Sequence, residues 1–144
     1  MMKKILMMML LCMGWAACSG GNKQQDTPLP QKAKDVVEVL YFHGKQRCAT
    51  CMAIEREAKA VVEEQFSNSV KNGQLNFRVV DITKVENEAL ANQYEITWSS
   101  LVVVQHKNGK EQVENLTQFA FANARTKPEI FRRGLADKIK ELLP

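Results

Sequence analysis

Several common features are absent from this 144-residue chain. It has one Cys-x-x-Cys motif, at Cys48 and Cys51, and no second pair, which argues against a zinc site built from four cysteines. The main apolar run, Ile5 to Met13, is too short for a membrane-spanning helix, which needs about 20 residues. No glycine-rich fingerprint for a flavin or nicotinamide dinucleotide occurs, so we expect no cofactor.

A strong charge of either sign is also missing. Residues 18–144 carry 18 basic and 16 acidic side chains, a formal net charge of +2. Such a nearly balanced surface gives no reason to expect nucleic acid as a partner.

The first 17 residues have the pattern of a bacterial lipoprotein signal peptide. Two lysines precede the apolar run, and Ala16, Ala17 and Cys18 follow it, as small residues do before a cleavage point. Cys18 is then expected to become the lipidated first residue, although Trp15 stands where an aliphatic residue is usual. The alternatives are an ordinary secretory signal, with Cys18 incidental, or an uncleaved anchor. Residues 18–33 are polar and predict a flexible tether.

Residues 34–144 alternate between strand-like and helix-like segments and predict one domain. Apolar, β-branched runs predict strands at residues 36–42, 75–82, 101–105 and, after an Asn108-Gly109 hairpin turn, 112–116. Apolar residues at helical spacing predict helices at residues 49–65, 86–94 and 128–143, the last with a capping box from Thr126 to Glu129. This order predicts an α/β domain with a four-stranded mixed sheet, parallel crossovers first and a hairpin last, and helices on both faces.

The Cys48-Ala49-Thr50-Cys51 motif lies between the first strand and the first helix. The start of a helix carries partial positive charge and free N–H groups, which favour the thiolate of Cys48. We therefore predict that Cys48 is the exposed nucleophile and Cys51 the buried resolving thiol. In an oxidising envelope the two must pair with each other or with an outside partner. The alternative is a structural disulfide without turnover, although so small a ring constrains the unfolded chain little.

Neighbouring side chains are candidates for supporting roles. Arg47 and Lys45 would lower the pKa of the Cys48 thiol, unless both are solvated loop cations. His43 is a candidate proton shuttle, and with Cys48 and Cys51 it would supply three ligands for a metal ion or arsenite. The bland alternative is that His43 is a loop residue without a ligand role.

The position of the motif in this order of elements resembles thioredoxin over residues 34–144. The stretches 41–44, 47–51 and 97–101 are more similar to a small family of thioredoxin-like lipoproteins of Bacteroides-type bacteria. Some of its members are associated with arsenic-resistance genes and labelled as a nitroreductase subunit. In such bacteria, acidic residues just behind the lipidated cysteine favour surface display. Their absence at residues 19–25 predicts a membrane lipoprotein that faces the periplasm.

Three departures from thioredoxin are visible. Ala-Thr replaces Gly-Pro between the cysteines, and Tyr41 stands near the position of thioredoxin's buried acid, with Glu38 too early in the strand to replace it. No proline occurs between Pro30 and Pro128, so Ser99, or Ser100 in another alignment, replaces the cis-proline that faces the dithiol. A trans peptide bond is expected there. In thioredoxins that proline shields the dithiol from metals, so its loss favours metal binding.

The segment before the third strand is the predicted substrate-binding edge, formed by Trp98, Ser99 and Ser100. Trp98 and Tyr94 would line the rim of the dithiol site, or else close one end of the core. Two later aromatic residues, Phe119 and Phe121, are expected in the core rather than in the site. His106 is expected to be an exposed residue at a strand end.

Together these features predict an envelope thiol–disulfide oxidoreductase. It would reduce disulfides in envelope proteins and be recharged by a membrane thiol electron donor; the reverse direction uses the same residues. One alternative is a dithiol protein that binds metal or arsenite. The other is a redox-inert adaptor, which is favoured by the absence of both the cis-proline and the buried acid.

Overall fold

A computed structural model of the chain describes residues 35–144. The predicted signal peptide (1–17), the tether from Cys18 (18–33) and residue 34 lie outside the described residues. The strands are β1 (Val36–His43), β2 (Leu75–Asp81), β3 (Ser100–Lys107) and β4 (Lys110–Asn115). The helices are α1 (Ala49–Gln65), α2 (Ser67–Lys71), α3 (Glu88–Gln93), α4 (Thr117–Asn123) and α5 (Pro128–Leu142), and a short 3-10 turn spans Val85–Asn87.

The four strands form one mixed sheet in the order β2-β1-β3-β4, as predicted. β1 is parallel to β2 and antiparallel to β3, and β3 is antiparallel to β4. The expectation of a second parallel crossover is therefore wrong. A six-residue helix such as α3 extends only about 9 Å, too little to carry the chain back along the sheet. β3 therefore begins at the same end of the sheet at which β2 stops, and its first residue, Ser100, pairs with Phe42 near the end of β1.

Both faces of the central strand β1 are buried, which explains its nearly continuous apolar sequence. Val37, Val39 and Tyr41 point to the face covered by α1, α4 and α5, which we call the α1/α5 face. Leu40 and Phe42 point to the opposite face, covered by α3, which we call the α3 face. The CxxC motif follows β1 after the loop of residues 44–47, so this strand places it at one end of the α1/α5 face.

Two short helices were not predicted, because neither has a long apolar stripe. α2 buries no side chain at all, and α4 buries only Thr117 and Ala120. The predicted capping box is also wrong: Lys127 is the N-cap residue of α5, and the Thr126 hydroxyl donates instead to the Ala122 carbonyl, at 3.4 Å. Pro128 does occupy the first turn of α5, as predicted.

The hairpin turn between β3 and β4 matches its prediction. Asn108 and Gly109 both have positive φ, 52° and 73°, which is the geometry that an Asn-Gly turn supplies. No helix among residues 35–144 is both long enough and apolar enough to cross a membrane.

Candidate active site

A disulfide between Cys48 and Cys51 lies at the N-terminus of α1, with the two Cα atoms 5.0 Å apart. Cys48 is the N-cap residue, and its Sγ accepts a hydrogen bond from the Cys51 N–H at 3.0 Å. Cys48 is exposed, whereas Cys51 is only 5% exposed. The exposed cysteine is therefore the one whose sulfur accepts a hydrogen bond from an N–H group of the first helical turn, which is the environment that stabilises a thiolate.

Tyr41 lies beneath this disulfide and is fully buried. Its hydroxyl donates a hydrogen bond to the Cys51 carbonyl at 2.9 Å. Burial raises the pKa of Tyr41, while the Arg47 cation and the side-chain hydrogen bond with Ser99 act to lower it. Because burial prevails, the phenol stays protonated at neutral pH and remains a donor.

No local motif of the sequence predicts this contact of Tyr41, which is singled out there only because it stands near the position of thioredoxin's buried acid. The available signal was the alternation along β1, which puts Tyr41 on the same face as Val37 and Val39 and so beneath α1. Glu38 belongs to the opposite face of β1, so it is not the missing acid of the dithiol site.

Arg47 is an exposed loop residue whose cation has a carboxylate partner. Its guanidinium forms an ion pair with Glu55, a half-buried carboxylate one turn beyond Cys51 on α1. No motif singles out Glu55 in the sequence, although its spacing from Cys51 matches one helical turn. This ion pair connects the loop before α1 to the helix. The negative charge of Glu55 also weakens the effect of the Arg47 charge on Cys48. Lys45 is exposed.

His43 is half-buried at the end of β1, and its Nδ1 donates to the Gly44 carbonyl at 3.0 Å. Its ring centroid lies 6.3 Å from that of Tyr41. Within residues 35–144, no three His, Cys, Asp or Glu side chains are grouped so that they could hold a metal ion. The structure thus does not bring His43 together with Cys48 and Cys51 as a ligand set. A role of His43 as proton shuttle stays a prediction.

The predicted substrate-binding edge consists of three residues in different environments. Trp98 is 56% exposed and its ring packs on Phe121 of α4, with the centroids 5.3 Å apart. Ser100 is buried and its hydroxyl donates to the Trp98 carbonyl at 3.0 Å, while Ser99 is half-buried beside Tyr41. In the described part of the chain every peptide bond is trans, including the one before Ser99.

An open groove of about 340 Å³ lies next to Trp98 and is lined by Trp98, Ser100, Asn115, Thr117 and Gln118. Phe121 was expected only in the core, but it also supports the exposed indole. Tyr94 differs from the rim interpretation: it packs against Phe42 in the core of the α3 face, at a centroid distance of 6.4 Å.

His106 is not the exposed strand-end residue that the sequence suggested. It is half-buried on the α3 face, with Nε2 3.0 Å from a Glu38 oxygen and Nδ1 3.2 Å from a Glu111 oxygen. Local sequence could not show this, because the carboxylates come from two other strands. His106 therefore has structural partners that are separate from the dithiol.

The fold is similar to those of several solved structures. An uncharacterised thioredoxin-like protein from Clostridium perfringens matches with a TM-score of 0.50 at 16% identity, over 87% of this chain and 90% of that one. Thioredoxin-2 of the malaria parasite, a component of its protein secretion machinery, matches with 0.48 at 20% identity, over 75% and 84% of the two chains. A thioredoxin from Thermus thermophilus matches with 0.44 at 16% identity, over 72% and 73%.

No protein-family model and no curated protein sequence matches the chain. At these identities the likeness concerns the fold alone, and the Clostridium structure carries it. The predicted fold class, a thioredoxin-like α/β fold, is confirmed.

Proposed function

We propose that this thioredoxin-like chain is a thiol–disulfide oxidoreductase of the bacterial envelope that reduces disulfides in partner proteins. One observation carries the proposal: an exposed Cys48 and a buried Cys51 are joined by a disulfide at the N-terminus of α1. So small a ring adds little stability as a staple, whereas a thiolate at a helix start is suited to exchange.

The reaction begins with the reduced dithiol. The Cys48 thiolate attacks one sulfur of the partner disulfide, which forms a mixed disulfide and releases the other partner sulfur as a thiolate. The Cys51 thiol then loses its proton and attacks the Cys48 sulfur, which releases the second partner thiolate. Two electrons have moved to the partner, and Cys48–Cys51 is left oxidised. A membrane thiol donor must return two electrons before the next cycle.

The location is part of the proposal and rests on the sequence of residues 1–33. A signal of lipoprotein type, a lipidated Cys18 and a polar tether would hold the domain at the membrane, facing the periplasm. The resemblance to thioredoxin-like lipoproteins of Bacteroides-type bacteria agrees with this location. Fractionation tests it: the full chain should be found in the membrane, and Cys18→Ser should release it.

Insulin reduction by the full chain, with dithiothreitol as donor, tests the reaction. Cys48→Ser should reduce the rate to that of the uncatalysed control, because the attacking sulfur is lost. Cys18→Ser is the matched control, since it exchanges the same atoms outside the site and should keep the rate. Activity that survives in Cys48→Ser would refute the mechanism, and a wild-type chain without activity would favour the adaptor alternative.

The direction of electron flow is tested by titrating the pair in dithiothreitol or glutathione buffers. A reduction potential near the thioredoxin value of about −270 mV supports reduction of partners. A value near about −120 mV, typical of strong dithiol oxidants, would instead assign the chain to oxidation of partner thiols.

A further inference from the structure

The Tyr41 hydroxyl connects the separate segments that make up the dithiol site. It donates to the Cys51 carbonyl in the first turn of α1, at 2.9 Å. Its other neighbours come from the loop before α1, through Arg47, and from the loop before β3, through Ser99. Tyr41 itself lies on the central strand and is completely buried in the larger core.

This arrangement acts on Cys48 through its neighbours rather than by contact. The Cys51 carbonyl belongs to the same turn whose N–H contacts the Cys48 sulfur. Arg47 directly precedes Cys48 in the loop, its guanidinium pairs with Glu55, and its charge acts on the buried phenol to lower the pKa of Tyr41. A fixed cation and a fixed helix start both stabilise a Cys48 thiolate, and therefore the reduced form of the pair.

We propose that Tyr41 is a positioning residue that sets the thiol–disulfide equilibrium of Cys48 and Cys51 by holding the first turn of α1 against the loops of Arg47 and Ser99. The proposal rests on the proposed function, since it concerns the same redox pair. It assigns a role to a neutral hydroxyl near the position where thioredoxins have a buried acid. The phenol acts as a hydrogen-bond donor and transfers no proton.

Tyr41→Phe tests this, because it removes the hydroxyl and keeps the buried ring. We expect the equilibrium between reduced and oxidised forms to shift about three- to tenfold toward the disulfide, where tenfold corresponds to about 30 mV. The pH midpoint of Cys48 alkylation should rise as well. Tyr94→Phe is the matched control: it removes the other tyrosine hydroxyl, which faces Gln93 on the α3 side, and should leave both quantities unchanged.

A second variant guards against a folding defect. If Tyr41→Phe is unfolded by circular dichroism, Ser99→Ala removes another partner of the hydroxyl and should shift the equilibrium in the same direction by a smaller factor. The proposal is overturned if the folded variant loses stability while its redox equilibrium and its Cys48 alkylation midpoint stay at wild-type values. Both readouts are independent of insulin reduction, so an inactive wild-type chain would refute the proposed function without touching this proposal.

Discussion

The two faces of the sheet differ in how they are stabilised. On the α1/α5 face, 19 buried residues form one core under three helices. On the α3 face, only seven buried residues among residues 35–144 lie beneath one short helix and the loop after it. The remainder of that face carries a charged cluster of Glu38, Arg78, His106 and Glu111.

The dithiol site lies on the α1/α5 face, which is the better packed of the two. Tyr41 is part of the larger core, and α1, whose first turn carries the cysteines, packs against α5. The proposed redox function needs a fixed geometry around the two sulfurs, and a large apolar core supplies it. We expect the α3 face to tolerate substitutions better, so matched variants of the two faces should differ in stability.

The largest difference is expected between two leucines. Leu135→Ala should lower the free energy of unfolding by about 3–4 kcal/mol, because Leu135 is fully buried between α5 and the sheet and its loss leaves a cavity. Leu90→Ala on α3 should cost only about 1–2 kcal/mol, since Leu90 is half-buried and the short helix can settle onto the sheet. Urea unfolding measures both, and equal losses would show that the faces are equally well packed.

A buried carboxylate on the α1/α5 face should give the next largest effect. Glu57 is 5% exposed, and its oxygens lie 2.6 Å from Arg132 of α5 and 2.8 Å from Arg56. Burial acts to raise the pKa of Glu57, but the hydrogen bonds and charges of the two arginines outweigh it and lower the pKa. Glu57→Gln should therefore cost about 1–3 kcal/mol at pH 7, where the wild-type carboxylate is ionised.

The sign of the pH dependence follows from the lowered pKa. The stability that Glu57 contributes is present above its unfolded-state pKa and is lost as the pH falls through its folded-state pKa. The stabilities of wild type and Glu57→Gln should thus converge in acid. Urea unfolding from pH 7 into acid measures the difference in free energy of unfolding between wild type and Glu57→Gln. A difference that did not change with pH would mean that the ion pair does not cause it.

Most elements could be predicted because their signals are local. The runs of β1 and β3 and the apolar stripes of α1 and α5 lie within single segments, and the Asn108-Gly109 turn is encoded by two residues. The direction of β3 could not be predicted in this way. It depends on how far α3 carries the chain, and the apolar pattern of a strand is the same in both directions.

The candidate site shows the same division. The exposure of Cys48 and the burial of Cys51 follow from their places in the first turn of a helix. The contact from Tyr41 to Cys51 and the pair of Arg47 with Glu55 depend on how a strand, a loop and a helix meet. His106 was misjudged for the same reason, because its carboxylate partners come from neighbouring strands.

The smallest effect is expected on the α3 face, from the same chemical change as at Glu57. The Glu38 carboxylate is 18% exposed, 3.0 Å from His106 and 3.9 Å from Arg78, whose own side chain is 48% exposed. Water reaches this cluster, so Glu38→Gln should cost only about 0.2–1 kcal/mol, and added salt should shrink the loss further by screening. Urea unfolding at low and high sodium chloride measures both. If Glu38→Gln cost as much as Glu57→Gln, the charged cluster would stabilise the α3 face as strongly as the buried ion pair stabilises the other, and the contrast between the faces would fail.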